Sequence, residues 1–318
     1  MAGPELRIGT RGSPLALWQA QTVASLIEKT GGPASRLVVI KTSGDRLQDA
    51  PMSEIGGKRL FVKEIEDALL RGDVDVAVHS SKDMPVVLPE GLTIAAALPR
   101  EDPRDAVVLP SSVRPTAPVG GLDCLGPSPA IGTGSVRRIA QLIRLMRAAR
   151  FAPIRGNLET RLRKLDAGEY DALVLAAAGL RRLGFDSRIS MTLPASVCVP
   201  APGQGIVAAE IRADDAATRA VVAGIDDPAA NAALTAERAV VAALGGGCQT
   251  PIGAWASDVD AETIELVAVV VATDGTRIVR AQARGPRHDA AALGARVGAE
   301  LLEGGAAEIL KAVEGTRQ

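Results

Sequence analysis

Short apolar runs of strand length alternate with amphipathic segments of helical period through the first two-thirds of the chain, and the alternation breaks once and restarts. Ser13-Pro14 reads as an N-cap followed by proline at the first helical position, with Leu15, Leu17, Trp18 and Val23 behind it. Arg36–Thr42 reads as a strand. Residues 58–71 place Phe61, Ile65, Ala68 and Leu69 on one helical face, and Gly72 stops it. Asp75–Ser80 and Thr93–Leu98 are short apolar strands. This punctuation predicts a parallel sheet covered on both faces. Residues 110–129 are dominated by Pro, Gly and Ser and read as a linker or inserted loop. The pattern then resumes, with a strand at Ala130–Thr133, a helix at 135–149, a strand at 151–154, a helix at 157–168 and a strand at Asp171–Ala176.

The character changes near residue 226. One long helix starts on acidic residues (DDPAANAALTAERAVVAAL), and the glycine-rich GGGCQTPIG follows. Glu265–Ala272 and Thr276–Ala283 flank Asp274-Gly275, a strong hairpin signal, and two helical segments close the chain. The expectation is a small α+β unit, distinct from the doubly wound part. At 318 residues the length suits two domains, or three.

Composition excludes several classes. Net charge is −1, which argues against a nucleic-acid coat or a polybasic membrane binder. Aromatic residues make up 2%, too few for stacking platforms that hold single-stranded nucleic acid. Three cysteines without CxxC spacing (Cys124, Cys198, Cys248) and two histidines (His79, His288) argue against a disulfide framework, a structural zinc site or a His-rich metal centre. No apolar run approaches the ~20 residues of a membrane span, and the N-terminus lacks a signal peptide's apolar stretch. The expectation is a soluble cytoplasmic protein without bound metal.

The near-zero total conceals an uneven distribution. Residues 130–188 hold eleven Arg and one Lys against five acids, a net +7, whereas residues 226–318 carry −5. Arg144, Arg147 and Arg163 read as solvated helix faces. Arg137, Arg138, Arg155 and Arg161 sit instead where strands turn into helices, the place where α/β folds put ligands. The choice of Arg suits planar recognition of carboxylate or phosphate.

Four constellations stand out. Gly132-Thr133-Gly134-Ser135-Val136-Arg137-Arg138 enters a helix through a Gly/Ser turn, which fits ordinary N-capping as well as anion binding. Arg155-Gly156-Asn157-Leu158-Glu159-Thr160-Arg161 puts cations at a positive helix start, an unfavourable placement by a few tenths of a kcal/mol that points to an anion. His79-Ser80-Ser81-Lys82-Asp83-Met84-Pro85 ends a strand with a carboxylate that reads either as a general acid/base and cation stabiliser or as a turn former, with His79 as a packed strand residue. Gly245-Gly246-Gly247-Cys248 brings a thiol onto a permissive backbone, as nucleophile, covalent tether or buried residue. Cys124 and Cys198 read as structural. An anion-binding module and an Arg-rich nucleic-acid binder remain rivals to an enzyme at this point.

Taken together, TRGSPLALWQ at 10–19, GGKRLFVKEIE at 56–66, VHSSKDMP at 78–85, EDPRDA at 101–106, GTGSVRR at 132–138, RGNLETRLRKLDAGEYDA at 155–172, LAAAGLRRLG at 175–184, PAPGQG at 200–205 and GGCQTPIG at 246–253 resemble the porphobilinogen deaminase (hydroxymethylbilane synthase) family. The stretches run in order along almost the whole chain. The resemblance implies a transferase that joins four porphobilinogen molecules head to tail, releasing ammonia each time, to give the linear tetrapyrrole hydroxymethylbilane of haem biosynthesis. It implies a dipyrromethane cofactor on a thioether to Cys248, and Asp83 as the catalytic carboxylate. Cofactor contacts fall on Lys82, Asp83, Thr133, Ser135, Arg137, Arg138, Arg155 and Gly156; substrate contacts fall on Arg11, Ser13, Arg155, Arg161 and Arg182. Residues 43–60 resemble the family's mobile loop, with Asp45 and Lys58 in it and Phe61 just after. Gly134 stands where many members have Ser, and Glu54 where some have Lys.

The implied fold is α/β, with two doubly wound, periplasmic-binding-protein-like domains and a small α+β C-terminal domain holding an antiparallel sheet. The implied boundaries are 5–103 plus 204–223, then 104–203, then 226–318. A monomer without nucleic-acid or membrane partners is expected, with porphobilinogen as its small-molecule substrate.

Overall fold

The computed structural model describes residues 5–43, 62–113, 125–246 and 250–315. Cys248, Cys124, Asp45, Lys58 and Phe61 lie outside the described residues.

The first lobe contains β1 (Leu6–Thr10), α1 (Pro14–Lys29), β2 (Ser35–Val39), α2 (Lys63–Leu70), β3 (Val76–Ser80) and β4 (Leu92–Ala97). The chain then crosses to a second lobe of β5 (Asp105–Val108), β6 (Ala130–Gly132), α3 (Val136–Leu142), β7 (Arg150–Ala152), α4 (Leu158–Asp166), β8 (Ala172–Ala176), α5 (Ala177–Arg182) and β9 (Met191–Thr192). It returns through residues 199–206 to add β10 (Val207–Arg212) and α6 (Ala216–Ala223) to the first lobe.

The two five-stranded sheets have matching orders, β2-β1-β3-β10-β4 and β7-β6-β8-β5-β9. In each, the first three strands are parallel and the fourth runs antiparallel to both its neighbours. That fourth strand, β5 or β10, is the one laid down immediately after a crossing. The lobes are thus doubly wound, as the alternation implied, but each sheet has a reversed strand that periodicity alone does not reveal.

Helix α1 begins where the sequence signals it. Ser13 Oγ accepts from Ala16 N, and Pro14 occupies the first turn. Its buried positions Gln19, Ala20, Val23, Ala24 and Ile27 follow three- and four-residue spacing. They pack with Ile8, Val78, Val207 and Ile211 on one face of the sheet. Ile65, Ala68 and Leu69 of α2 cover the other face beside Val74 and Ala77. Truncating a fully buried side chain such as Ile27 or Ile65 to Ala costs about 2–5 kcal/mol.

The helix expected over 135–149 ends at Leu142 and gives way to turns in which Leu145 N and Met146 N both donate to the Leu142 carbonyl. The Asp274-Gly275 hairpin tip packs there, so close that a Cβ on Gly275 would lie 2.6 Å from Ile143 Cγ2.

The C-terminal unit holds α7 (Pro228–Ala243), the antiparallel meander β11 (Ile252–Asp258), β12 (Thr263–Val271) and β13 (Ile278–Pro286), then α8 (Ala290–Glu303) and α9 (Ala306–Gly315). Strand β12 is buried on both faces, which explains its continuous apolar run. Leu266, Ala268 and Val270 face Val240, Val297 and Leu301 of the helices. Val267, Val269 and Val271 face Ala140 and Val199 of the second lobe. The period-2 alternation of one strand therefore fastens the unit to the other two.

Candidate active site

The two crossings and the end of β3 meet at one joint. Ser81–Asp83 form a single 3-10 turn directly after β3, as expected for a polar run at a strand's carboxyl end. Ser81 N donates to the Ile206 carbonyl at 3.0 Å. Gly203 lies at φ +73°, and a Cβ there would come within 2.9 Å of Ser81 Cβ and 3.1 Å of Lys82 N. Gly205 lies at φ +89°, with Glu101 O only 2.3 Å from where its Cβ would be. Glycine at both positions lets three backbone segments touch.

Asp83 is exposed on a cleft that Arg11, Ser13, Gln19, Ser80 and His79 also line. A second, smaller cleft shares Leu15 and Ser80 with the first and adds Lys82, Arg182, Gly203 and Gly205. The structure so brings together Arg11, Ser13, Lys82, Asp83 and Arg182, which the sequence placed on separate motifs.

Arg182 Nη2 donates to the Gly205 carbonyl at 2.7 Å, and its guanidinium stands 5.4 Å from the Trp18 ring centre. Burial lowers the Arg182 pKa, against the raising effect of Glu101. Arg161 Nε donates to the Gly156 carbonyl at 2.9 Å, which fixes the side chain beside the loop that precedes α4. Burial and the Arg138 charge lower the Arg161 pKa, and Asp83 opposes them. Arg161 is therefore within electrostatic reach of both Asp83 and Arg138. The terminal nitrogens of Arg161, and the whole guanidinium of the half-buried Arg155, have no hydrogen-bond partner among the described residues. Lys82 is half-buried, and burial pushes its ammonium down to about 8, with Asp83 opposing and Arg138 assisting.

The capping alternatives hold where they were open. Ser135 Oγ accepts from Arg138 N as the N-cap of α3, and Thr133 Oγ1 accepts from Ser135 N. Asn157 Oδ1 caps α4 through Thr160 N at 2.9 Å. His79 is a packed strand residue, 3.1 Å from Glu210 on neighbouring β10.

Arg137 and Arg138, which the resemblance gives to the cofactor, are both buried and paired. Arg137 is 4% exposed, and Nη1 donates to Asp105 Oδ2 (2.7 Å) and to the Val199 carbonyl (2.6 Å). Arg138 reaches Asp105 Oδ1 through Nε at 2.9 Å and the Val174 carbonyl through Nη1 at 3.0 Å. The reason is Asp105, a fully buried carboxylate that needs cationic partners to stay ionised. Burial alone would raise its pKa; the two guanidinium groups outweigh that and hold it well below the usual carboxylate range. Cys198 joins this cluster, its thiol pushed up to about 12 by burial, and is structural as read.

The sequence reading missed Asp105, Gln204, Arg100 and Glu237. The stretches EDPRDA and PAPGQG carried Asp105 and Gln204, but the partners of all four residues lie far away along the chain. Arg100 Nε donates to the Gln204 carbonyl (2.9 Å), and its terminal nitrogens clasp Glu237 at 2.6 and 3.2 Å. Glu237 also accepts from Gly203 N (2.6 Å) and Ala256 N (2.8 Å), so one buried carboxylate ties both crossings to the third unit.

A family model described as the porphobilinogen deaminase, dipyromethane cofactor binding domain matches residues 6–220, and the porphobilinogen deaminase C-terminal domain matches residues 232–303. A porphobilinogen deaminase of Syntrophobacter fumaroxidans is 45% identical over 309 residues, 97% of each chain. The chain belongs to the porphobilinogen deaminase family. Its first two lobes are the part that in this family binds dipyrromethane. Among solved structures, the chain is similar to the periplasmic VFT2 domain of BvgS from Bordetella pertussis (18% identical, TM-score 0.41, covering 70% of this chain and 86% of that one). It is also similar to an ancestral cationic amino acid solute-binding protein (14% identical, TM-score 0.41, covering 69% and 86%).

The donor set fits dipyrromethane, whose two pyrroles carry acetate and propionate groups. Lys82, Arg138, Arg161 and Arg182 converge on the joint, and Asp83 and Asp105 are too few to neutralise them. No helix among the described residues is long and apolar enough to cross a membrane.

Proposed function

We propose that this chain, a deaminating transferase of tetrapyrrole biosynthesis, builds hydroxymethylbilane from four porphobilinogen molecules at the joint between its lobes, with Asp83 as the catalytic residue. The observation that carries this reading is the grouping of Asp83, Arg11 and Ser13 on one cleft with Lys82 and Arg182 on the adjoining one.

Dipyrromethane, held by a thioether to Cys248, supplies the nucleophilic pyrrole carbon that primes the chain. Lys82, Arg155, Arg161 and Arg182 bind carboxylate side chains, because a guanidinium matches a carboxylate with two parallel hydrogen bonds. Arg137 and Arg138 stand behind them as fixed positive charge, locked by Asp105. Thr133, Ser135 and Gly156 shape the turns that set Arg138, Arg155 and Arg161 in place.

Arg11 and Ser13 orient the incoming porphobilinogen against Asp83. When the amino group of its aminomethyl arm departs as ammonia, the methylene carbon stays on the ring, the pyrrole becomes cationic, and the Asp83 carboxylate stabilises that charge from a preorganised position. The same oxygens accept a pyrrole N–H and take up the proton lost from the substituted carbon. Asp45 and Lys58 belong to the segment that resembles the family's mobile loop, and Phe61 follows it. The enzyme works as a monomer in the cytoplasm, with no nucleic acid as partner.

The intact mass of the purified protein tests the reading. An excess of two porphobilinogens less two ammonias, absent from Cys248→Ala, is expected. A bare polypeptide mass that stays bare after incubation with porphobilinogen or hydroxymethylbilane overturns it.

A further inference from the structure

Gln204 lies in the second crossing and is 1% exposed. Its Nε2 donates to the Pro103 carbonyl at 2.6 Å and to Asp105 Oδ1 at 2.9 Å. With both amide protons committed, Oε1 is left as the acceptor beside the cations of the joint, where Arg138 Nη2 also meets Asp105 Oδ1 at 2.8 Å. Oε1 stands 3.5 Å from Lys82 Nζ and 3.5 Å from Arg138 Nη2. Lys82 belongs to the turn after β3 and Arg138 to α3, so two cations from different lobes share one neutral acceptor. Only an amide of this length offers two donors to the Asp105 side and an acceptor to the cations. Glutamate would confront Asp105 with a second carboxylate, and methionine would fill the space with neither function.

We propose that Gln204 is a positioning residue for the reaction, holding Lys82 at a fixed distance from Arg138 across the joint so that Lys82 meets the anionic groups bound there with the Arg138 charge behind it. The inference deepens the reading of the site given above and rests on it.

The charged groups that face Lys82 are Asp83 on its own turn, Asp105 at the start of β5, and Arg137 and Arg138 on α3. Oε1 favours the charged ammonium. Its removal makes Lys82 release its proton at lower pH, and a carboxylate in its place does the reverse.

The test compares wild type, Gln204→Met and Gln204→Glu with Gln141→Met. Gln141 is a second buried glutamine at the same crossing; it brackets Val199 through Nε2 (3.1 Å) and Oε1 (2.8 Å), away from Lys82. Two quantities are read: the fraction of chains carrying the primer mass, and the alkaline limb of kcat/KM for porphobilinogen. Gln204→Met is expected to lower the loaded fraction and move the limb down by ~0.5–1 pH unit, and Gln204→Glu to move the limb up. Gln141→Met is expected to lower the thermal midpoint and leave both quantities at wild-type values. Opposite shifts in the two Gln204 variants do not arise from loosened packing. If Gln204→Met fails to fold, the upward shift in Gln204→Glu still decides. A loaded wild type beside unchanged limbs in the Gln204 variants overturns this inference alone, as do equal shifts in Gln141→Met. A wild type without primer mass overturns the reading of the site, and this inference with it.

Discussion

Arg100 and Glu237 meet at 2.6 Å where the first crossing touches the third unit, and the carboxylate they share is wholly buried. Arg100→Leu leaves Glu237 with only the Gly203 and Ala256 amides for partners. An uncompensated buried charge of this kind costs about 3–5 kcal/mol. The expected outcome is a fall of that size in urea unfolding free energy. Glu237→Gln, which keeps an acceptor and adds no charge, should lose less than Arg100→Leu. Equal losses would mean that burial of the charge is not what the pair relieves.

Asp83 is exposed. Asp83→Asn should therefore leave the thermal midpoint near wild type, since surface changes stay within about 0.5 kcal/mol. Turnover of porphobilinogen should fall by roughly 10²–10⁴, the usual share of a positioned acid–base group. Ammonia release measured beside a melting curve separates the two quantities. A variant that keeps wild-type turnover removes Asp83 from the chemistry.

Asp105 gives the stability of the joint an acid limb. Its folded pKa is depressed, so its ionised form stabilises the fold fully above the unfolded carboxylate value near ~3.9 and progressively less as pH falls towards the folded value. Denaturant midpoints of wild type and Asp105→Asn should differ by a constant amount from pH 5 to 7 and converge below about pH 4. A gap that widens on acidification would reverse the sign and show that Arg137 and Arg138 do not govern this carboxylate.

Gly205→Ala should be costly out of proportion to one methyl group. The backbone sits at φ +89°, and the obstacle is a carbonyl oxygen, which cannot swing aside like a side chain. A loss of about 1–3 kcal/mol is expected from the backbone conformation, with the clash added to it. Gly179, whose nearest neighbour to such a methyl is 3.8 Å away, is the control that should tolerate alanine far better.

The repeating elements were readable because each is announced locally: Ser13-Pro14 opens α1, Asn157 caps α4, and Asp274-Gly275 turns β12 into β13. The charged interior was not readable in this way. Asp105 meets Arg137 across 32 residues, and Gln204 meets Lys82 across 122. No period or cap encodes such pairings, so the arginines of GTGSVRR read as ligand groups when part of their charge is spent on Asp105. Both crossings escape periodicity too, because their geometry rests on backbone contact between distant glycines and turns. Asp83, the carboxylate proposed for the chemistry, was visible only as part of a polar run ending a strand, a pattern that turn formers share.

The place of β10 between β3 and β4 has a consequence for how the protein is made. The sheet that carries Asp83 lacks an inner strand until residue 212 has left the ribosome. The second lobe lies wholly upstream of that point and uses a continuous stretch of chain. The nascent polypeptide therefore completes its arginine-rich half first and must keep its amino-terminal half open, awaiting a strand synthesised about a hundred residues after that half was left behind.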